Sequence, residues 1–132
     1  MVTGTWKILL LAAAVLPAAL YGCGPGRTAY NLPRGEGEQI VAIEADNFLF
    51  KPNMISARAG DRIILQVHNA SGFDHNLTLE DPQGDTLLSL DLPPDQTVSS
   101  LPLVLDEPGN YPFYCDKPFH PSLGMKGAIS VR

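Results

Sequence analysis

"FYCDKPFHPSLGMKG", residues 113–127, sets Cys115, His120 and Met125 at even intervals, with four residues in each gap. Two of these side chains offer sulfur and one offers imidazole nitrogen. A thiolate and a thioether are soft donors and an imidazole is borderline, so the set favours copper over hard ions such as calcium and magnesium. A mononuclear copper site of the blue type takes two His, one Cys and a weak axial Met. The second His must come from elsewhere in the chain.

The chain has three His in all. His68 lies inside a strand-like run, on the face opposite Ile63, Leu65 and Val67. His75, in "FDHN", sits where one strand ends and another begins. A ligand has to stand at the end of the scaffold where the Cys loop also lies. His75 is therefore the candidate, and His68 is read as solvent-facing. Plainer readings exist for each residue. Cys115 could be a buried structural thiol, His75 a surface imidazole and Met125 a gap-filling core residue. Met54 is read as core outright.

Enzymatic readings fare worse. A Cys–His hydrolase needs a thiolate beside a base, often oriented by a third group. No helix signal supports Cys115, and nothing in the sequence supplies an oxyanion hole. A multicopper oxidase needs many more His, and a binuclear copper loop needs two Cys where this one has one. The pairs Glu80-Asp81 and Asp106-Glu107 flank turn signals and read as solvated. The chain is read as a non-enzyme.

Outward from the loop, the pattern is one of strands. Twelve Pro and twelve Gly, spread along the chain, would break almost any long helix. "IVAIEADNFLF" (40–50), "RIILQVHN" (62–69), "HNLTLED" (75–81), "TLLSLDL" (86–92), "TVSSLPLVL" (97–105), "NYPFYC" (110–115) and "GAISVR" (127–132) are separated by turn signals. Pro102 places its run near an edge or a bulge. About seven or eight short strands at such spacing make an all-β sandwich or barrel. A domain over residues 39–132 is large enough to fold without a disulfide.

The N-terminus reads differently. Lys7 precedes an apolar run from Ile8 to Leu20, too short for a membrane-spanning helix, which wants ~20 residues, but suited to a secretory signal. "LYGC", residues 20–23, resembles the lipobox of bacterial lipoproteins through Leu20, Gly22 and Cys23. That resemblance implies a signal over residues 1–22, cleavage before Cys23 and lipidation of its thiol. Acyl chains contribute ~0.8 kcal/mol per buried methylene, so two or more make a durable anchor. The alternatives are ordinary cleavage with a spare thiol, or a Cys23–Cys115 bridge. Residues 24–38, "GPGRTAYNLPRGEGE", show no apolar period and read with Cys23 as a flexible linker. Beyond residue 22 there are eight Lys plus Arg against fourteen Asp plus Glu, a formal net charge of −6. That balance argues against nucleic acid as a partner.

The blocks "FLFKPNMI", "AGDRI", His75-Asn76, "PGNYPFYC" and "GMKGAISV" together resemble the cupredoxin family of small blue copper proteins. The Cys-to-His gap is as in azurins, auracyanins and rusticyanins. The His-to-Met gap equals that of auracyanins and rusticyanins. The resemblance implies an antiparallel Greek-key β-sandwich with one type 1 copper at one end. It implies His75, Cys115 and His120 as equatorial ligands and Met125 as the axial one. Asn76, Lys117 and Pro118 would support them, Asn76 by tying the two ligand segments together. Pro118 has no N–H to stabilise a thiolate, which would raise the reduction potential. Gly124 and Gly127 are read as letting the loop turn back into the last strand. Phe119, Pro121 and Leu123 would form an apolar patch around His120, with Tyr114 as a second surface route. The implied protein is a monomeric, membrane-tethered one-electron carrier on the periplasmic side or outer face of the cell membrane. Its implied partners are cytochrome-like or oxidase-like. The alternative is a copper-holding or copper-delivery lipoprotein.

Overall fold

The computed structural model describes residues 26–132. The signal segment 1–22 and Cys23 lie outside the described residues. Eleven strands follow in order: β1 (Ala29–Asn31), β2 (Glu38–Asp46), β3 (Leu49–Lys51), β4 (Met54–Ala57), β5 (Asp61–Asn69), β6 (His75–Glu80), β7 (Thr86–Leu92), β8 (Thr97–Ser99), β9 (Leu103–Leu105), β10 (Gly109–Tyr114) and β11 (Lys126–Val131). There is no helix among the described residues. One sheet runs β1-β4-β11-β10-β6-β7 and the other β3-β2-β5-β8, with β9 also on β5. The two form the sandwich that the strand pattern predicts. The sheets are mixed, because β1 with β4, β4 with β11 and β2 with β5 pair in parallel.

Four short strands go beyond the runs read from the sequence: β1, β3, β4 and β9. Two arise by division. The run 40–50 turns at Phe48, whose φ is 63°, so β3 folds back on β2. The run 97–105 breaks around Pro102, so β8 and β9 occupy the same edge of β5 in succession. β1 overturns part of the linker reading. Thr28 O accepts from Asn53 N and Met54 N, and Leu32 N donates to Ser56 O at 2.9 Å. Leu32 is buried, so residues 28–32 are held to the sheet edge by backbone bonds and one apolar anchor.

Alternation explains the layers. Ile63, Leu65 and Val67 of β5 are buried while Arg62 and His68 face solvent. Val41, Ile43 and Ala45 of β2 do the same beside them. Against these pack Ile55, Leu77, Leu79, Phe113 and Ile129 from the other sheet. On β4 the inner face belongs to Ile55 and Ala57, which leaves Met54 42% exposed rather than in the core. Gly127 needs no special backbone angle. A Cβ there would collide with Asn53 O and the Phe113 ring, so its role is close packing. Gly124, at φ 110°, is the residue that turns the loop.

The ladders also fix the ends of the molecule. β10 runs toward one end, and β6 and β11 start there, each antiparallel to it. The loop 115–125 and the start of β6 are thus neighbours.

Candidate metal centre

Three donor atoms meet at that end. His75 Nδ1 lies 3.2 Å from His120 Nδ1, and Cys115 Sγ lies 3.2 Å from His120 Nδ1 and 4.0 Å from His75 Nδ1. No other groups of three or more His, Cys, Asp or Glu cluster in this way among the described residues. A point equidistant from atoms so spaced is about 2 Å from each, close to the ~2.0–2.3 Å that imidazole and thiolate keep from a late first-row ion. Two nitrogens and one thiolate in a triangle are the equatorial set that copper takes in blue sites. The residues present fit the ion.

Each ligand is placed by the local chain. His75 is the first residue of β6 and Cys115 the first after β10. Cys115 N donates to Met125 O at 3.1 Å, which closes the loop at its base. Met125 N donates to His120 O at 3.0 Å, and His120 N to Lys117 O at 3.1 Å. Met125 is fully buried and bonded through its backbone to both other loop ligands. His75 and Cys115 are buried and His120 is half-buried.

Asn76 Oδ1 accepts from Asp116 N at 2.8 Å, joining the His75 strand to the Cys115 loop. A second amide, absent from the sequence reading, braces the other side. Asn69 is fully buried; its Nδ2 donates to Phe73 O and Leu92 O, each at 2.8 Å. Its Oδ1 accepts from Ser71 N and Ser71 Oγ. This holds the 70–74 loop that delivers His75. The available signal was an Asn ending a strand before "ASG", where its side chain can bond the backbone two residues on.

Electrostatics favour the ligand form of His75. Burial, with the His120 ring beside it and the Lys117 cation nearby, holds its pKa below the usual histidine value. A neutral imidazole is the metal-binding form.

The surroundings are apolar. Phe119 is 80% and Leu123 56% exposed, with Pro121 beside them. The structure adds two aromatics from distant segments. Phe48 packs edge-on against His120 with ring centroids 5.0 Å apart, and Phe73 stands exposed on the 70–74 loop. An open groove of about 420 Å³ runs between Phe48, Phe73, His75, Lys117, Pro118 and His120. Phe48 and Phe119 both hold positive φ, 63° and 69°, which costs a bulky residue on the order of 1–3 kcal/mol and clusters at functional sites. Tyr114 lies apart, its hydroxyl donating to Glu80 Oε1, which raises its pKa.

A family model described as copper binding proteins, plastocyanin/azurin family, matches residues 38–132. The chain is 31% identical over 98 residues to plastocyanin of Daucus carota, covering 69% of this chain and 97% of that one. It is 27% identical over 126 residues to the major chloroplastic plastocyanin isoform of Arabidopsis thaliana, covering 90% of this chain and 69% of that one. Among solved structures, auracyanin A, a "blue" copper protein from the green thermophilic photosynthetic bacterium Chloroflexus aurantiacus, matches with a TM-score of 0.64. That likeness covers 73% of this chain and 100% of the other at 18% identity, and is one of fold.

Proposed function

The chain belongs to the plastocyanin/azurin family of copper-binding proteins, and from that premise we propose that it carries single electrons between redox proteins outside the cytoplasm while tethered to a membrane. It takes one type 1 copper. The observation that carries the reading is the donor triangle of His75, Cys115 and His120, closed from below by the backbone of Met125. Copper, when bound, supplies the reversible Cu(II)/Cu(I) couple. The protein holds the donors in place before and after each transfer. Asn76 and Asn69 fix the two segments that carry them, and buried His75 and Cys115 keep water away. His120 reaches the rim, so electrons enter and leave there. Phe48, Phe73, Phe119, Pro121 and Leu123 offer an apolar collar through which a cytochrome-like or oxidase-like partner can approach closely and part quickly.

The remaining assignments complete the proposal. Residues 1–22 are a signal removed on export. Cys23 carries the lipid, and residues 39–132 are the copper domain, working as a monomer and not as an enzyme. Support for the anchor is the run Ile8–Leu20 followed by Leu20, Gly22 and Cys23.

The test is a visible spectrum of residues 23–132 after addition of Cu(II), with a potential titration and electron exchange with cytochrome c. A strong thiolate-to-copper band is expected, lost in Cys115→Ala and shifted or weakened in His75→Ala. A band that survives Cys115→Ala refutes the ligand set. Copper passed to an apo-acceptor without electron exchange would make the protein a delivery lipoprotein instead.

A further inference from the structure

The chain enters its fold at the metal-bearing end, and β1 is the reason. β11 starts one residue after Met125 and runs away from the centre. β4 is parallel to it, with Met54 level with Ala128 and Ala57 with Val131. β1 is parallel to β4, with Ala29 level with Met54 and Asn31 with Ser56. Thr28 N donates to Asn53 Oδ1 at 3.0 Å, and Asn53 O accepts from Ala128 N at 2.9 Å. Thr28 therefore sits level with Gly127, two residues from Met125, or about 7 Å along the strand, and two strand spacings, about 10 Å, to the side.

The alternative would be an entry at β2. Glu38 pairs with Arg62 and Ala45 with Asn69, so β2 starts at the end opposite the ligands and runs toward them. A chain entering there would leave its upstream segment about 30 Å from the centre, the length of a nine-residue strand. β1 brings the point of departure back up the full height of the sandwich.

We infer that the docked β1 holds the copper-bearing end of the domain toward the membrane, so that the partner is a redox protein embedded in that membrane with its docking surface near the headgroups. The inference rests on the reading of Cys23 as the lipid-bearing residue. Five peptide steps separate Cys23 from Thr28, a span of at most about 17 Å. The apolar collar around His120 then stays close to the bilayer while the opposite end, with Asp106 and Val131, points away. A partner diffusing freely in solution would meet the wrong end of the molecule.

The test uses the full chain, purified from membranes and reconstituted into phosphatidylcholine vesicles that contain a headgroup-labelled acceptor lipid. A donor dye is attached through Ser122→Cys at the copper end or through Asp106→Cys at the other. Both positions are exposed, and Cys115 is buried. Energy transfer from position 122 is expected to exceed that from 106 severalfold. Inserting a long Gly/Ser spacer between residues 25 and 26 is expected to abolish the difference. So is Leu32→Glu, which expels the anchor of β1, with the copper band confirming that the domain is still folded. Equal transfer from the two positions in the unaltered tether, or greater transfer from 106, overturns the inference. A difference that survives the spacer and Leu32→Glu also overturns it. Failure of the protein to join vesicles at all removes the lipid reading beneath it, an outcome visible by flotation before any dye is excited.

Discussion

Asn69→Ala should cost the domain about 3 kcal/mol, although Asn69 touches no donor atom. The side chain is fully buried and makes four hydrogen bonds. On its removal, Phe73 O keeps a bond from Ser71 Oγ at 3.2 Å and Leu92 O keeps its place in the ladder opposite His75, while Ser71 N loses its partner. One buried donor left unpaired at ~1–3 kcal/mol, with the bond to Leu92 O lost at a net ~0.5–1.5 kcal/mol, gives about 1.5–4.5 kcal/mol. For a domain of this size each kcal/mol moves Tm by ~4–8 °C, so about 3 kcal/mol lowers it by ~12–24 °C. Guanidinium unfolding of the copper-free protein measures the loss directly. Because the 70–74 loop delivers His75, the copper band should also broaden or shift, and Asn69→Ser should lose less. A loss below about 1 kcal/mol, within the net value of one ordinary hydrogen bond, would mean that the loop is held by something else.

Three other outcomes follow from the same geometry. Gly127→Ala drives a methyl group into Asn53 O and the Phe113 ring, and should destabilise by about 3 kcal/mol or more, whereas Gly84→Ala meets open space and feels only its φ of 93°, at about 1 kcal/mol; thermal unfolding of the pair separates clash from backbone strain. His75 takes a proton less readily in the folded chain than in the unfolded one, so the stability it contributes to the copper-free protein is present above the ordinary histidine value of 6.5 and is lost as pH falls below it. The loss levels off once the folded ring is protonated too, and His75→Gln should flatten that part of a stability–pH curve. Met125→Leu keeps a buried apolar side chain, so the copper band should survive while the potential read by redox titration rises; a lost band would show that Met125 is needed to hold the ion at all.

The loop ligands were legible because they lie within one short stretch with donor chemistry that has few other uses. His75 followed from its place between two strand runs, and Asn76 from the resemblance. What escaped is non-local. Phe48 is far from His120 in sequence and reaches it only because the run 40–50 folds back at a left-handed residue, which no alternation pattern encodes. β1 escaped because the stretch around it, residues 24–38, has the Gly and Pro content of a linker and no apolar period; its hold on the sheet comes from backbone bonds, the side chains of Thr28 and Asn53, and Leu32. Met54 was misplaced because a strand of four residues offers too few positions to choose between faces, and the choice fell to the better fit of Ile55 and Ala57 in the core.

The collar around His120 is assembled from three separate parts of the chain: the turn at Phe48, the loop at Phe73, and Phe119 with Leu123. None of these side chains supplies a donor atom to the triangle. Mutations can therefore redraw the outline presented to a visitor while the chemistry beneath is inherited unchanged. A lineage carrying this scaffold could swap correspondents one aromatic at a time, with the colour of the protein as the constant by which its history is followed.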